Sequence, residues 1–259
     1  MIWGNLDLML IVPALLAGTI VLSIHVPLGQ EVLKRGIIFI DIAIAQVAAL
    51  GVIIATVFGG ELSTWKVQVF AGLSALLGAV LIRYLERHYQ SALEALIGLV
   101  FVLAASGGIL LASYAPHSAE LLHDLLVGQI LWVNYEQLLW VSLLYLPLLL
   151  ALFLLNNSQR PWLFYFIFSL AVTASVQLVG IYLVFASLIL PALVSRGIKK
   201  RSHQLGLAYL TGLIGYILGI IASLSFDLPT GAITVWTLLI SSLLVKLLLN
   251  RTAFKILLK

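Results

Sequence analysis

Apolar residues in this chain come in long runs, without the strict alternation of a half-buried strand or the single stripe of a soluble helix. Runs near 8–28, 37–57, 67–82, 93–112, 136–155, 161–178, 179–195, 204–222 and 229–249 approach the length of about 20 residues that crosses a bilayer. The pattern predicts an all-α integral membrane protein, a bundle of eight or nine transmembrane helices in one domain over 1–259. The stretch 118–134 is too polar and too short to cross. It reads as a re-entrant or interfacial helix, with Trp132 and Tyr135 at headgroup level. Small residues recur inside spans, at Ser74, Gly78 and 104–108, where they permit close helix approach.

The charges support this threading. With the N-terminus outside, Lys34, Arg35, Arg83, Arg87, Arg160, Arg196, Lys199, Lys200, Arg201, Arg251, Lys255 and Lys259 all fall on the cytoplasmic side. Lys246 snorkels to the same face, and only Lys66 falls outside. The acidic residues Asp7, Glu61, Glu120, Asp124, Glu136 and Asp227 collect on the outer side. No basic residue precedes Lys34, so the first span reads as retained rather than as a cleaved leader. The densest basic cluster, Arg196 to Arg201, follows an apolar run that carries Pro191 near its end.

Composition narrows the function. The chain is 63% hydrophobic and 9% charged, against about 25% charged in soluble domains. The net charge of +4 lies in short loops, which argues against a nucleic-acid partner. The absence of cysteine excludes disulfides, thiolate ligands and a cysteine nucleophile. There is no GxxxxGK[ST], HExxH or GxSxG. Ser106-Gly107-Gly108 has no helical histidine placed to activate it, so neither ATP hydrolysis nor an intramembrane protease is indicated.

Function must then come from polar groups at membrane depth, which are costly unless used. Asp41 is the foremost, about 9 Å past Arg35 if the helix is continuous. It is a cation ligand, a proton carrier, half of a buried pair, or a hydrogen-bonded packing carboxylate. Gln46 lies five residues on, about 140° round a regular helix, and would share a face with Asp41 only across a π-bulge. His25, in Ser-Ile-His-Val-Pro-Leu-Gly, lies about 13 Å from Lys34 if Pro27 and Gly29 do not break the helix, which sets it level with Asp41. It is either a site residue or a satisfied packing histidine. His123 and Asp124 sit at the outer mouth, where they attract a cation or simply wet an interfacial helix. Asp227-Leu-Pro-Thr-Gly231 reads as a turn whose Asp or Thr caps the last helix, and Glu94 as a cap of the fourth span.

Taken in order, Leu28-Gly29, Lys34-Arg35, Asp41, Leu96-Ile-Gly-Leu-Val-Phe, Asp124-Leu-Leu-Val-Gly-Gln-Ile-Leu, Gly180-Ile-Tyr-Leu-Val-Phe-Ala-Ser-Leu-Ile-Leu-Pro-Ala and Asp227-Leu-Pro-Thr-Gly-Ala resemble the membrane subunits of bacterial metal-uptake ABC transporters, the zinc/manganese/iron permease family. The resemblance covers nearly the whole chain. It implies a multi-pass permease of the bacterial cytoplasmic membrane, homodimeric, with no ATPase motif or permanently bound cofactor of its own. An ABC ATPase subunit would lie below and an extracytoplasmic metal-binding protein outside. The cargo would be a divalent metal ion, zinc favoured over manganese or iron, moved by alternating access. The family carries a histidine four residues after this aspartate, where this chain has Ala45. Alignment back from Gly51 sets Gln46 opposite that histidine, so Asp41 and Gln46 are the implied metal ligands, with His25 as a substitute imidazole. The loop 195–204, with Pro191, Arg196, Lys199, Lys200 and Arg201, is the implied coupling surface for the ATPase. The rival reading is an ion-coupled secondary transporter with Asp41 and His25 as proton or cation carriers.

Overall fold

In a computed structural model, residues 8–59, 64–113, 118–154 and 161–257 are described. Among them every regular element is helical: α1 (Leu8–Arg35), α2 (Ile40–Gly59), α3 (Thr64–His88), α4 (Leu93–Ala112), α5 (Ser118–Val127), α6 (Tyr135–Leu154), α7 (Pro161–Val179), α8 (Ile181–Ser195), α9 (Arg201–Phe226) and α10 (Thr230–Leu257). Two single 3-10 turns, Gln90–Ala92 and Ile130–Trp132, lead into α4 and follow α5. Eight of the helices are long and apolar enough to cross a membrane. The exceptions are α5 and α8. The ten-residue α5 is too short to cross, as expected for the stretch 118–134. Asp7, Glu61, Arg160 and Lys259 lie outside the described residues.

Several helices outrun their predicted spans. α1, α3 and α9 carry charged or polar turns such as Arg83 to Arg87 beyond the apolar run, because backbone hydrogen bonding continues past the hydrocarbon edge. The lipid sets the length of an apolar run, and the helix itself is free to be longer.

α1 passes unbroken through Pro27 and Gly29, and two contacts explain why. Proline lacks the amide that would bond to the carbonyl four residues back, which here is Ser23. The Tyr209 hydroxyl, from α9, donates to that Ser23 carbonyl at 2.8 Å and repairs the ladder. Gly29 lets the backbone of α8 close in, since a Cβ there would fall 2.0 Å from the Leu188 carbonyl oxygen. Tyr209→Phe should therefore lower stability by about 1 kcal/mol, read as a drop in the thermal unfolding midpoint of detergent-solubilised protein. An unchanged midpoint would show that the freed carbonyl finds water or another partner.

α8 departs most from a simple span. Its 15 residues reach only about 22 Å, short of a hydrocarbon core of about 30 Å. It is tolerated because it is sheathed in protein, with Leu183, Ala186, Ser187 and Leu188 among its buried residues. A single residue, Gly180, joins it to α7. Gly180 has φ 80°, and a Cβ on it would fall 2.4 Å from the Gly128 nitrogen. Gly231, at the start of α10, has the same constraint against the Val127 carbonyl oxygen, at 2.0 Å. The end of α5, the α7–α8 joint and the start of α10 thus cross backbone to backbone at the acidic face.

The small residues picked out in the sequence pack helix on helix. A Cβ on Gly51 of α2 would meet Ser74 Oγ of α3 at 2.2 Å, Gly78 faces Val47, and Gly108 of α4 faces Ile53 of α2. Asp227 takes a left-handed conformation (φ 52°) as the C-terminal cap of α9. The turn to α10 is tied instead by Ser223 Oγ, which shares a 2.6 Å hydrogen bond with Thr230 Oγ1.

Candidate functional site

Asp41 does not sit inside a continuous helix that starts at Arg35. Residues 36–39 turn, with Gly36 at φ 70°, and α2 begins at Ile40. Depth counted by helical rise from Arg35 therefore does not apply, and Asp41 belongs to the first turn of α2. A helix N-terminus carries partial positive charge, which favours an anion there. The carboxylate is fully buried, and neither oxygen accepts a hydrogen bond. The amides of Asp41 and Ile42 lie beside it but do not meet hydrogen-bond geometry. A buried carboxylate without a partner is costly unless a cation or a proton neutralises it.

Gln46 is also buried, one and a half turns along α2. α2 is regular from Ile40 to Gly59 with no π-bulge, so Asp41 and Gln46 face about 140° apart. Ala45 is fully buried.

His25 has other company. Its Nδ1 lies 2.8 Å from Ser187 Oγ of α8, and its Nε2 lies 2.7 Å from Ser175 Oγ of α7. Tyr145 of α6 closes the cluster, donating to the Ala171 carbonyl at 2.9 Å and sharing a 2.5 Å hydrogen bond with Ser175 Oγ. One ring nitrogen donates and the other accepts in a neutral imidazole, so both are committed. Among the described residues no ion pair joins His25 to Asp41, and no group of three or more His, Asp or Glu side chains could hold a metal ion. His25 thus makes its contacts with α7 and α8, while Asp41 and Gln46 face different sides of α2. His25 bolts α1 to α7 and α8 ten residues before Arg35, about 15 Å along the helix. His25→Ala should cost about 1–3 kcal/mol, because Ser175 and Ser187 each lose one buried hydrogen bond and α1 loses its tie to α7 and α8. Thermal unfolding checks this, and His25→Asn, which keeps one donor and one acceptor, should recover part of the loss.

At the basic face, α8 ends at Ser195 and α9 begins at Arg201. Arg196 is extended and Gly197 has φ 100°, a conformation that favours glycine. Arg196, Lys199, Lys200 and Arg201 are exposed, and none has an ion-pair partner among the described residues. Pro191 is buried within α8.

Three features of the site were not visible in the sequence. The first is a charge cluster that ties the ends of α1 and α3: Arg35 pairs with Glu31 at 3.2 Å and Glu86 at 3.9 Å, Arg83 pairs with Glu86, and the Arg35 guanidinium lies 4.3 Å over the Phe164 ring. The second corrects the expectation for Glu94. Ala92 is the cap position of α4, and Glu94 Oε1 instead accepts from the Ile38 amide at 2.6 Å, holding the turn before Asp41. The third is a pair of clefts at the acidic face, where the sequence already places His123 and Asp124. His123 is exposed and 3.8 Å from Asp124, which lines a cleft of about 210 Å³ with Gln129, Gln137 and Gln177. A second cleft of about 220 Å³ shares Gln137 and Gln177 and adds Gln68 and Thr173. Glutamines at the outer ends of three separate spans were the available signal.

Residues 7–160 and 155–250 match the ABC 3 transport family. The chain is 29% identical over 240 residues to the manganese transport system membrane protein MntC of Halalkalibacterium halodurans, spanning 85% of this chain and 80% of that one. It is 23% identical over 239 residues to the high-affinity zinc uptake system membrane protein ZnuB of Haemophilus influenzae, spanning 85% and 90%. The fold is similar to a chain of PsaBC from Streptococcus pneumoniae, solved with a Fab, at a TM-score of 0.70 and 23% identity, covering 91% of this chain and 90% of that one.

Proposed function

From a chain that belongs to the ABC 3 transport family, we propose the membrane permease of an ATP-driven importer of divalent transition metal ions, with manganese as the favoured cargo. The observation that carries this reading is Asp41: a fully buried carboxylate with both oxygens free, in the first turn of α2. It has the chemistry of a cation way station. The similarity to relatives named for manganese and zinc transport supports a metal as that cation.

The available donors bear on which metal. Zinc takes imidazole and thiolate readily, whereas carboxylate and amide oxygens suit manganese. This chain has no cysteine, Ala45 where the family carries histidine, and a His25 whose two nitrogens are occupied by serines. What remains at the start of α2 is oxygen, from the Asp41 carboxylate. That supply favours manganese over the zinc expected from the resemblance alone.

In this reading an ABC ATPase docks on the loop 195–204, an extracytoplasmic metal-binding protein delivers cargo to the cleft around Asp124, and a second copy of the chain completes the permease. Loop movement would pass into α8, which is bonded to α1 through His25 and packed on it at Gly29. The test is uptake by proteoliposomes that hold this chain, its ATPase and its binding protein. ATP-dependent accumulation of manganese should exceed that of zinc at equal free concentration. Zinc uptake that matches or exceeds manganese uptake would remove the metal assignment, and no ATP-dependent uptake of either would remove the function.

A further inference from the structure

At the basic ends of α1, α8 and α9, Gln30, Leu33, Lys34, Ala192, Arg196 and Gln204 line a recess of about 150 Å³. Two of these residues are cationic and none is acidic. The Arg196 side chain has no ion pair among the described residues, and Lys34 has only a 3.8 Å approach to Glu31, with 59% of its side chain exposed. The telling group is Gln30. It is 6% exposed, and its Nε2 is buried with no acceptor. A buried amide donor without a partner is destabilising, and a rotation of the Gln30 side chain would turn that donor into the cationic recess that the residue lines, where an anion would accept from it. The recess also lies by the start of α9, whose cap position, Lys200, makes no side-chain bond to the first-turn amides.

We propose that this recess binds a phosphate group at the level of the cytoplasmic headgroups. Metal cargo is excluded by the two cations. Among anions, phosphate has enough oxygens to accept from the Lys34 ammonium, the Arg196 guanidinium and the Gln30 amide at once, whereas a carboxylate has two. The position favours phosphate again: basic pockets between transmembrane helices on the cytoplasmic side suit anionic lipid headgroups. The site is independent of which metal is carried, or whether any is, and it shares Arg196 and Gln204 with the loop proposed to dock the ATPase.

The purified full-length chain in phosphate-free maltoside micelles is the reference state. Phosphatidylglycerol added to the micelles should raise the thermal unfolding midpoint in a saturable way. Gln30→Met and Arg196→Gln should each weaken that response about tenfold or more, as loss of a charge-assisted or buried hydrogen bond implies. Gln30→Met should unfold no earlier than the parent in the lipid-free reference, because it removes an unpartnered donor. Inorganic phosphate, against chloride of matched ionic strength, separates the sources. If it reproduces the shift, the ligand is free phosphate; if only phosphatidylglycerol does, it is a lipid headgroup. No shift with either, or a shift that survives both substitutions, overturns the proposal. So does a shift that appears only when the ATPase is added, which would give the recess to an acidic side chain of that partner.

Discussion

Asp41→Asn should abolish uptake while the chain still inserts and still binds its ATPase. The substitution keeps size and one acceptor oxygen, removes the charge, and puts an NH2 donor in place of the second oxygen. The carboxylate makes no hydrogen bond that meets normal geometry, so the only protein group that favours its charge is the start of α2. If the group neutralises a passing cation, the cost falls on the loaded state alone. Leaving a buried cation without its counter-charge costs about 3–5 kcal/mol, so uptake should fall by about two orders of magnitude or more. The measurement is initial uptake rate, with the unfolding midpoint and ATPase co-purification as controls. The midpoint should hold or rise slightly, since an uncompensated buried charge has been removed. Near-normal transport would make Asp41 a packing residue. Gln46→Ala then separates two modes: loss comparable to Asp41→Asn means a coordinated site, and tolerance means Asp41 acts alone as an electrostatic relay.

The membrane spans were legible because lipid imposes them. A backbone in hydrocarbon must close its own hydrogen bonds inside a run of apolar side chains, and such runs can be counted. The excursion at 118–134 was legible for the same reason, being too polar to cross. What runs of this kind do not encode is who meets whom. The serines that hold His25 lie 150 and 162 residues away, so nothing local distinguishes a satisfied histidine from a metal ligand. Tyr209 lies 186 residues from the Ser23 carbonyl it repairs, and nothing near Pro27 announces that the helix survives.

The Asp41 environment shows the same division. Its identity as the carboxylate to watch came from the apolar residues around it. Its place at a helix start came from the turn 36–39, which Glu94 holds from 56 residues further on. A short apolar run was also ambiguous in kind: 179–195 has the hydropathy of a span, yet α8 is a buried core helix. Its length alone, 15 residues after Gly180, carried that information.

Replacing Lys199, Lys200 and Arg201 together with glutamate should disconnect the chain from its ATPase. These side chains are exposed, and no carboxylate among the described residues competes for them. The peptide between α8 and α9 is only residues 196–200, so its charges are held close to the helix ends. If an acidic face of the ATPase docks there, reversal sets like charges together, which costs several kcal/mol and corresponds to about a hundredfold or more in affinity. The same cluster also contributes to the orientation of the chain, so misinsertion must be separated from failed docking. The glutamine version of the triple substitution does that, because it withdraws the charge without inverting the local bias. Single cysteines at Ser202 and Leu228, in a chain that has none, report orientation by labelling from opposite sides. With orientation intact, the glutamine variant should bind the ATPase weakly and the glutamate variant should not bind it. Salt should weaken binding to the unsubstituted chain, as expected for exposed charge pairs. Full ATPase association and normal uptake by a correctly oriented glutamate variant would reduce the cluster to a topogenic signal and move the coupling surface elsewhere on the basic face.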